Sequence, residues 1–299
     1  MKILLINNAS LNADKFKEQN ALLFESAKQL GIELEIKRNI DIKYYYDSNG
    51  TQIENLDCDA ILFYDKDINL AKILEEKGYK LFNNSDCIKN CDSKALTYKI
   101  LADNKLPIPK TFIFPLLFYP NKENNLLYIK KIENELKYPF VAKKWFGSEG
   151  QQVFLIKNRQ EFDSLLDREK QELLFQEYFE ECSGSDIRIN IVNGEIVASM
   201  HRFSKTDFRA NLSNGGNAEK YQPTDVEKEL ALKASKALGC DFCGVDILQT
   251  KNGPVICEVN SNAHLNNIYK VTGINVAGKI LNYISKKIRE LWVVLFYIK

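Results

Sequence analysis

The stretch GVDILQTKNGPVICEVNSN, Gly244 to Asn262, reads as two apolar strands around a turn. Asp246, Glu258 and Asn260 interrupt its apolar runs. Strand side chains alternate between faces, so Glu258 and Asn260 point the same way. Lys251-Asn252-Gly253-Pro254 is a strong turn signal, and the fold-back brings Asp246 beside Glu258. Two unpaired carboxylates in a dry place repel, and one tends to take up a proton. A bound divalent cation removes the conflict, and oxygen ligands without His or Cys suit magnesium or manganese. A salt-bridged pair is the alternative that the pattern leaves open.

Around this hairpin lies a chain of ordinary soluble composition. It has 299 residues, 45% apolar and 27% charged, enough for two or three domains. A formal net charge of +1 leaves no electrostatic footprint for nucleic acid. The opening MKILLINN is too short for a secretory signal and reads as a first strand. No run approaches the ~20 apolar residues of a membrane span. Seven cysteines, an odd number spread along the chain, read as reduced thiols of a cytoplasmic protein, not as a disulfide frame or zinc site.

Over the first ~90 residues, strands such as Ile3–Ile6 alternate with helical stretches, which implies a small parallel sheet with helices against it: an α/β beginning. Lys94 opens a helix that ends at the prolines of KLPIP, read as a linker. From KTFIF onward the expectation is paired strands. TDVEKELALKASKALG and NVAGKILNYISKKIREL read as helices on either side of the opening hairpin.

Several short stretches between these elements are chemically suggestive. Lys143 ends a buried strand and is followed by Gly147-Ser148-Glu149-Gly150, a loop whose backbone N–H groups are free to close over phosphates. Because it joins two strands it is not a P-loop. A plain hairpin turn beside a lysine fits the same residues. Gln176-Glu177-Tyr178 ends an apolar strand where backbone groups would hold a purine, and Asp186 follows within reach of a ribose. Arg188 shares Asp186's strand face. His201, Arg202, Lys205 and Arg209 precede Asn211 and Gly215-Gly216. Arginine forks suit phosphate and carboxylate oxygens, whereas Lys205 reads as a solvated surface residue and His201 as a packing or hydrogen-bonding one.

Singly each motif is weak, but their order is specific. From about Lys94 to about Ile284 the chain resembles the ATP-grasp superfamily, and within it the RimK-like carboxylate–amine ligases. DFRANLSNGGNAEKY, GVDIL and EVNSN…TGINVAGKI carry the resemblance. It implies an ATP-grasp fold behind a small N-terminal domain, divided at residues 1–92, 93–175 and 176–299. ATP would lie between the two halves of the grasp. Lys94 and Lys143 would meet its phosphates together with the Gly147-Ser148-Gly150 loop. Gln176, Glu177 and Tyr178 would frame the adenine, and Asp186 the ribose. Arg209 and Asn211 would face the reacting phosphate, with Arg188 and Arg202 as candidates for substrate carboxylates. Asp246, Glu258 and Asn260 would hold two Mg2+ or Mn2+ ions.

The implied reaction is amide formation through an acyl phosphate, with glutamate or a similar amino acid added to a peptide, protein tail or small molecule. A hydroxyl-directed phosphotransferase and a non-catalytic ATP sensor are the alternatives. No nucleic acid or membrane partner is expected, and a homo-oligomer is compatible with the sequence. Two departures fall on the family's substrate side. Ser261-Asn262-Ala263-His264-Leu265 replaces the usual small-Pro-Gly turn, and the glycine loop continues Gly150-Gln151-Gln152 without a further glycine.

Overall fold

The computed structural model describes the chain except residues 118–121, 170–171, 213–214 and 298–299. Three main sheets follow one another along it. The first contains β1 (Lys2–Asn7), β2 (Glu33–Arg38), β5 (Ala60–Tyr64) and β6 (Leu81–Phe82), in the order β2-β1-β5-β6 and all parallel. Between β2 and β5 stands a small hairpin, β3 (Tyr44–Asp47) and β4 (Gly50–Ile53), that the sequence reading had not placed. The crossovers carry α1 (Asp14–Gln29) and α2 (Ile68–Glu76), and α3 (Ser85–Asp92) follows β6. All five residues of β5 are buried, as expected for a parallel strand covered on both faces.

The second sheet is antiparallel, order β7-β10-β8-β9, made of β7 (Thr111–Ile113), β8 (Phe140–Lys144), β9 (Val153–Ile156) and β10 (Leu173–Glu177). Helix α4 (Lys94–Asp103) leads into it, and α5 (Lys122–Glu135) and α6 (Arg159–Arg168) pack on it. The last two helices are absent from the strand-only expectation for this region. Phe140, Phe162 and Phe175 are fully buried and meet edge to face at 5.0–6.0 Å. Each such ring stabilises the fold by about 1.5–3 kcal/mol through burial alone.

The third sheet, order β13-β12-β11-β14-β15, contains β11 (Ser185–Val192), β12 (Glu195–Phe203), β13 (Asn217–Lys220), β14 (Phe242–Thr250) and β15 (Gly253–Asn260), all antiparallel. Helix α7 (Asp225–Leu238) begins with a Thr224–Glu227 capping box and ends at Gly239 in the left-handed region, φ +73°. Helices α8 (Leu265–Thr272) and α9 (Val276–Tyr297) follow β15. Along β11, Ile187, Ile189 and Ile191 pack into one core with Leu230 and Ala234 of α7. The opposite face of the strand is thereby left to Asp186, Arg188 and Asn190.

Three of the seven cysteines are close together in space. Cys87, Cys91 and Cys240 meet where α3 packs near the start of β14. The reading of dispersed thiols failed because it overlooked the Cys240-Asp241-Phe242-Cys243 spacing, and because α3 lies next to it only in the folded chain.

Candidate active site

The opening hairpin folds back as expected. Asp246 pairs with Glu258 and Gly244 with Asn260, and a bulge follows Asp246. On the other side of β14, Asp246 lies opposite Arg188 of β11. Arg188 Nε and Nη2 donate to the two oxygens of Asp246, the second bond being 2.7 Å. Gly244 makes room for this clamp: a Cβ there would lie 2.9 Å from Arg188 Cδ and 2.8 Å from Ala263 Cβ. Arg202 of β12 adds a further contact, Nη2 to Asp246 Oδ2 at 2.9 Å, and binds Asp186 through two bonds of 2.6 and 2.7 Å. All four side chains are almost wholly buried.

These contacts correct the starting expectation that the hairpin's carboxylates face each other uncompensated. Cations from three other elements meet them. Glu258 pairs with Lys94, the first residue of α4, at 3.1 Å. Burial pushes the Glu258 carboxyl up, but Lys94 and Lys143 outweigh it and bring it down to about 2. It is therefore ionised at neutral pH. Strand periodicity cannot show this, because Lys94 is 164 residues away in sequence. Arg188 and Arg202, expected to face substrate carboxylates, are held by carboxylates of the site itself.

Lys143 projects from β8 and is buried. Its Nζ donates to the Tyr98 hydroxyl at 3.2 Å, and Tyr98 in turn donates to the Cys257 carbonyl. Burial opposes the charge on Lys143, but Cys257, Tyr98 and Glu258 prevail and raise its pKa, so the ammonium is retained. Tyr98 is a residue that the sequence reading missed. Its signal was the i, i+4 spacing from Lys94, which puts both on one face of α4.

Above this floor lies the Gly147–Gly150 loop. Lys94 Nζ donates to the Gly147 carbonyl at 2.8 Å, and Arg209 Nη1 to the Gly150 carbonyl at 2.5 Å. Arg209 is fixed from behind by two bonds to Asp207. Gly150 has φ +72°, where a side chain would be strained. Glu149, between the glycines, accepts from Lys15 of α1 and lies 3.1 Å from His264 Nε2. Burial lowers the His264 pKa more than Glu149 raises it, so the ring is neutral at pH 7.

The loop roofs two adjoining cavities. The smaller, about 110 Å³, is lined by Lys143, Gly150, Gln176, Glu177, Tyr178 and Asp186, and also by Arg202, Arg209 and Asp246. Val141, Leu248 and Phe208 supply apolar walls. The larger, about 520 Å³, holds Arg188, Asn260 and His264, with Lys15, Lys66 and Asp65 around its rim. Lys94, Gly147, Ser148, Asn211 and Glu258 line both and so form the waist between them. Each candidate ATP, metal or substrate-carboxylate residue thus borders one cavity or the other, whereas His201, Lys205, Gly215 and Gly216 border neither. What sequence reasoning missed is the far wall of the larger cavity, contributed by β1 and α1.

One donor in the wall of the larger cavity is unsatisfied. The side-chain nitrogen position of Asn260 is buried and has no hydrogen-bond partner. A half-turn of the amide puts oxygen there instead. With Glu258 and Asp246 this makes a set of oxygen donors fit for a hard dication.

Two antiparallel sheets that flank a cleft, behind a small parallel sheet, are the arrangement of the ATP-grasp class. The fold matches that of a RimK-domain ATP-grasp protein from Sphaerobacter thermophilus, with a TM-score of 0.72 over 95% of this chain and 99% of the other at 17% identity. A family model described as the RimK-like ATP-grasp domain matches residues 91–284, and the chain belongs to that family. The chain is 32% identical to the MG012 homolog of Mycoplasma pneumoniae, over 93% of this chain and 97% of that protein. It is 36% identical to human N-acetylaspartylglutamate synthase A, over 73% of this chain but only 56% of the human protein. No helix among the described residues is long and apolar enough to cross a membrane.

Proposed function

We propose that this chain joins a carboxylate to an amine at the expense of ATP, through an acyl phosphate. The observation that carries the reading is the waist. Lys94, Ser148, Asn211 and Glu258 border both cavities at once, which is where a phosphoryl group passing from nucleotide to carboxylate has to lie. In this reading the smaller cavity takes the nucleotide. Gln176, Glu177 and Tyr178 frame the base among apolar walls, Asp186 faces the sugar, and Lys143 with the loop N–H groups binds the phosphates. The three sequence segments 1–92, 93–175 and 176–299 then act as a substrate-side lobe and the two halves of the grasp.

Asp246, Glu258 and Asn260 would hold magnesium or manganese, two ions in the full complex, which would screen the charge of the triphosphate. The protein's own part is positioning. Lys94 and Arg209 hold the loop down, and Lys94 brings positive charge to the waist. The larger cavity mixes cations and carboxylates, which suits an amino acid carrying both charges. The human relative's name specifies a glutamate-containing product, and glutamate or a similar amino acid is the substrate class we assign by that analogy.

The test is turnover of ATP and magnesium with a pool of amino acids, N-acylated amino acids and short peptides, following ADP and product mass. ADP release that requires both a carboxylate and an amine, with a product heavier by the joined partner, is the expected result. Turnover with a hydroxyl acceptor alone, or tight ATP binding without any turnover, would overturn it.

A further inference from the structure

Sulfur gathers at one other place in the molecule. Cys87 and Cys91 stand at i and i+4 on one face of α3. Cys240 follows Gly239, which ends α7, and Cys243 is the second residue of β14. The sulfurs of Cys87, Cys91 and Cys240 all lie within 4.8 Å of one another. Cys91 and Cys240, 149 residues apart in sequence, are separated by 3.7 Å.

We propose that this cluster is a zinc site, with Cys87, Cys91 and Cys240 as thiolate ligands and water in the fourth position. Two thiolates on a tetrahedral ion with bonds of about 2.3 Å sit ~3.8 Å apart, so the observed Cys91–Cys240 spacing needs almost no adjustment. Sulfur donors without a carboxylate select a soft ion, which separates this site from the oxygen set of the active site. Cys240 is partly exposed and gives the ion a way in, while Cys87, Cys91 and Cys243 are buried. Each thiol that binds releases its proton to the solvent, and no electron is transferred.

The site has a structural consequence. It ties α3, which follows the parallel sheet, to the start of β14 in the third sheet. Two residues after Cys91, Ser93 caps α4 and sets the position of Lys94. Cys91 itself borders the larger cavity.

The experiment uses the full chain, purified reduced and without chelator. After loading with zinc and desalting, elemental analysis should find about one zinc per chain without ATP. Cobalt in its place should give an intense thiolate-to-metal charge-transfer band and the visible bands of a tetrahedral ion. Cys240→Ser and Cys87→Ser should each weaken zinc binding at least tenfold, whereas Cys58→Ser, outside the cluster, should leave it unchanged. The wild-type cobalt spectrum stands even if a variant fails to fold. A wild-type protein that retains no zinc while showing all seven thiols on denaturation would overturn the proposal. So would loss of two thiols to a disulfide, or a Cys240→Ser protein that binds zinc as tightly as the parent.

Discussion

Arg188 and Asp246 face each other across β11 and β14, and the arginine fork closes on the carboxylate in a buried two-bond clamp. Arg202 reaches the same carboxylate and Asp186 besides, so the metal-side aspartate is one node of a four-membered charge network. Removing one member of such a network leaves the others uncompensated. Asp246→Asn should therefore destabilise the fold by roughly 3–5 kcal/mol, the usual cost of breaking a buried pair. It should also abolish magnesium-dependent ATP turnover. Urea unfolding together with an ADP assay checks both, and a variant of parental stability would show that the network carries no net strength.

Glu258 tests the same logic through pH. Its folded pKa, about 2, lies below the ordinary glutamate value of 4.5 given by its unfolded state. The stabilisation is then fully present above pH 4.5 and is lost as pH falls toward 2. Glu258→Gln should be less stable than the parent at pH 7, and the difference should shrink through that window. This reverses the outcome expected for uncompensated carboxylates, where neutralisation would leave stability unchanged or raised. Activity should fall on the order of a hundredfold or more, because a main electrostatic element is gone. Melting curves from pH 7 to pH 2 decide it; a constant gap between the two proteins would remove Glu258 from the ion pair with Lys94.

How far the site was legible in the sequence depended on whether a residue's partner was local. Asp246, Glu258 and Asn260 could be aligned on the hairpin because strand alternation and one turn determine their faces. The resemblance then ordered Lys94, Lys143, the glycine loop, Glu177-Tyr178 and Arg209-Asn211 around them, and all border the cavities. The identity of each residue's partner was not legible. The clamp on Asp246 comes from β11 and β12, and Lys94 arrives from α4, through topology that no local pattern encodes. Helices α5 and α6 were missed for a simpler reason: their apolar residues sit among many charges, and neighbouring strands dominated the reading of that region.

Tyr98 provides a test of a residue the sequence did not announce. Its hydroxyl accepts from Lys143 and donates to the Cys257 carbonyl. Tyr98→Phe keeps the ring under the ammonium, where Nζ lies 5.6 Å from the centroid, but removes the oxygen. The fold should lose about 1–3 kcal/mol for the two missing hydrogen bonds. Lys143 is then less well fixed, and ATP affinity by calorimetry should weaken several-fold, while Lys143→Ala weakens it further. Equal ATP affinity of parent and Tyr98→Phe would show that Lys143 needs no such support.

The last prediction concerns how the cleft closes. Glu149 lies in the loop between β8 and β9, yet it contacts Lys15 on α1 and His264 beyond β15. One carboxylate thus joins the roof of the smaller cavity to both walls of the larger one. A loop with glycines on either side loses much entropy when it is ordered, and these contacts offset that cost. Glu149→Ala should therefore expose residues 146–152 to protease several-fold faster in the absence of nucleotide. Lys15→Ala should do the same to a smaller extent, since His264 still reaches the carboxylate. Because the two side chains act through one contact, the double variant should be cleaved little faster than Glu149→Ala alone. Saturating ATP and magnesium should narrow all these differences, as phosphates bound beneath the loop take over its ordering. Rates for the two single variants that multiply in the double variant would show that Lys15 and Glu149 act independently, and the latch would have to be abandoned.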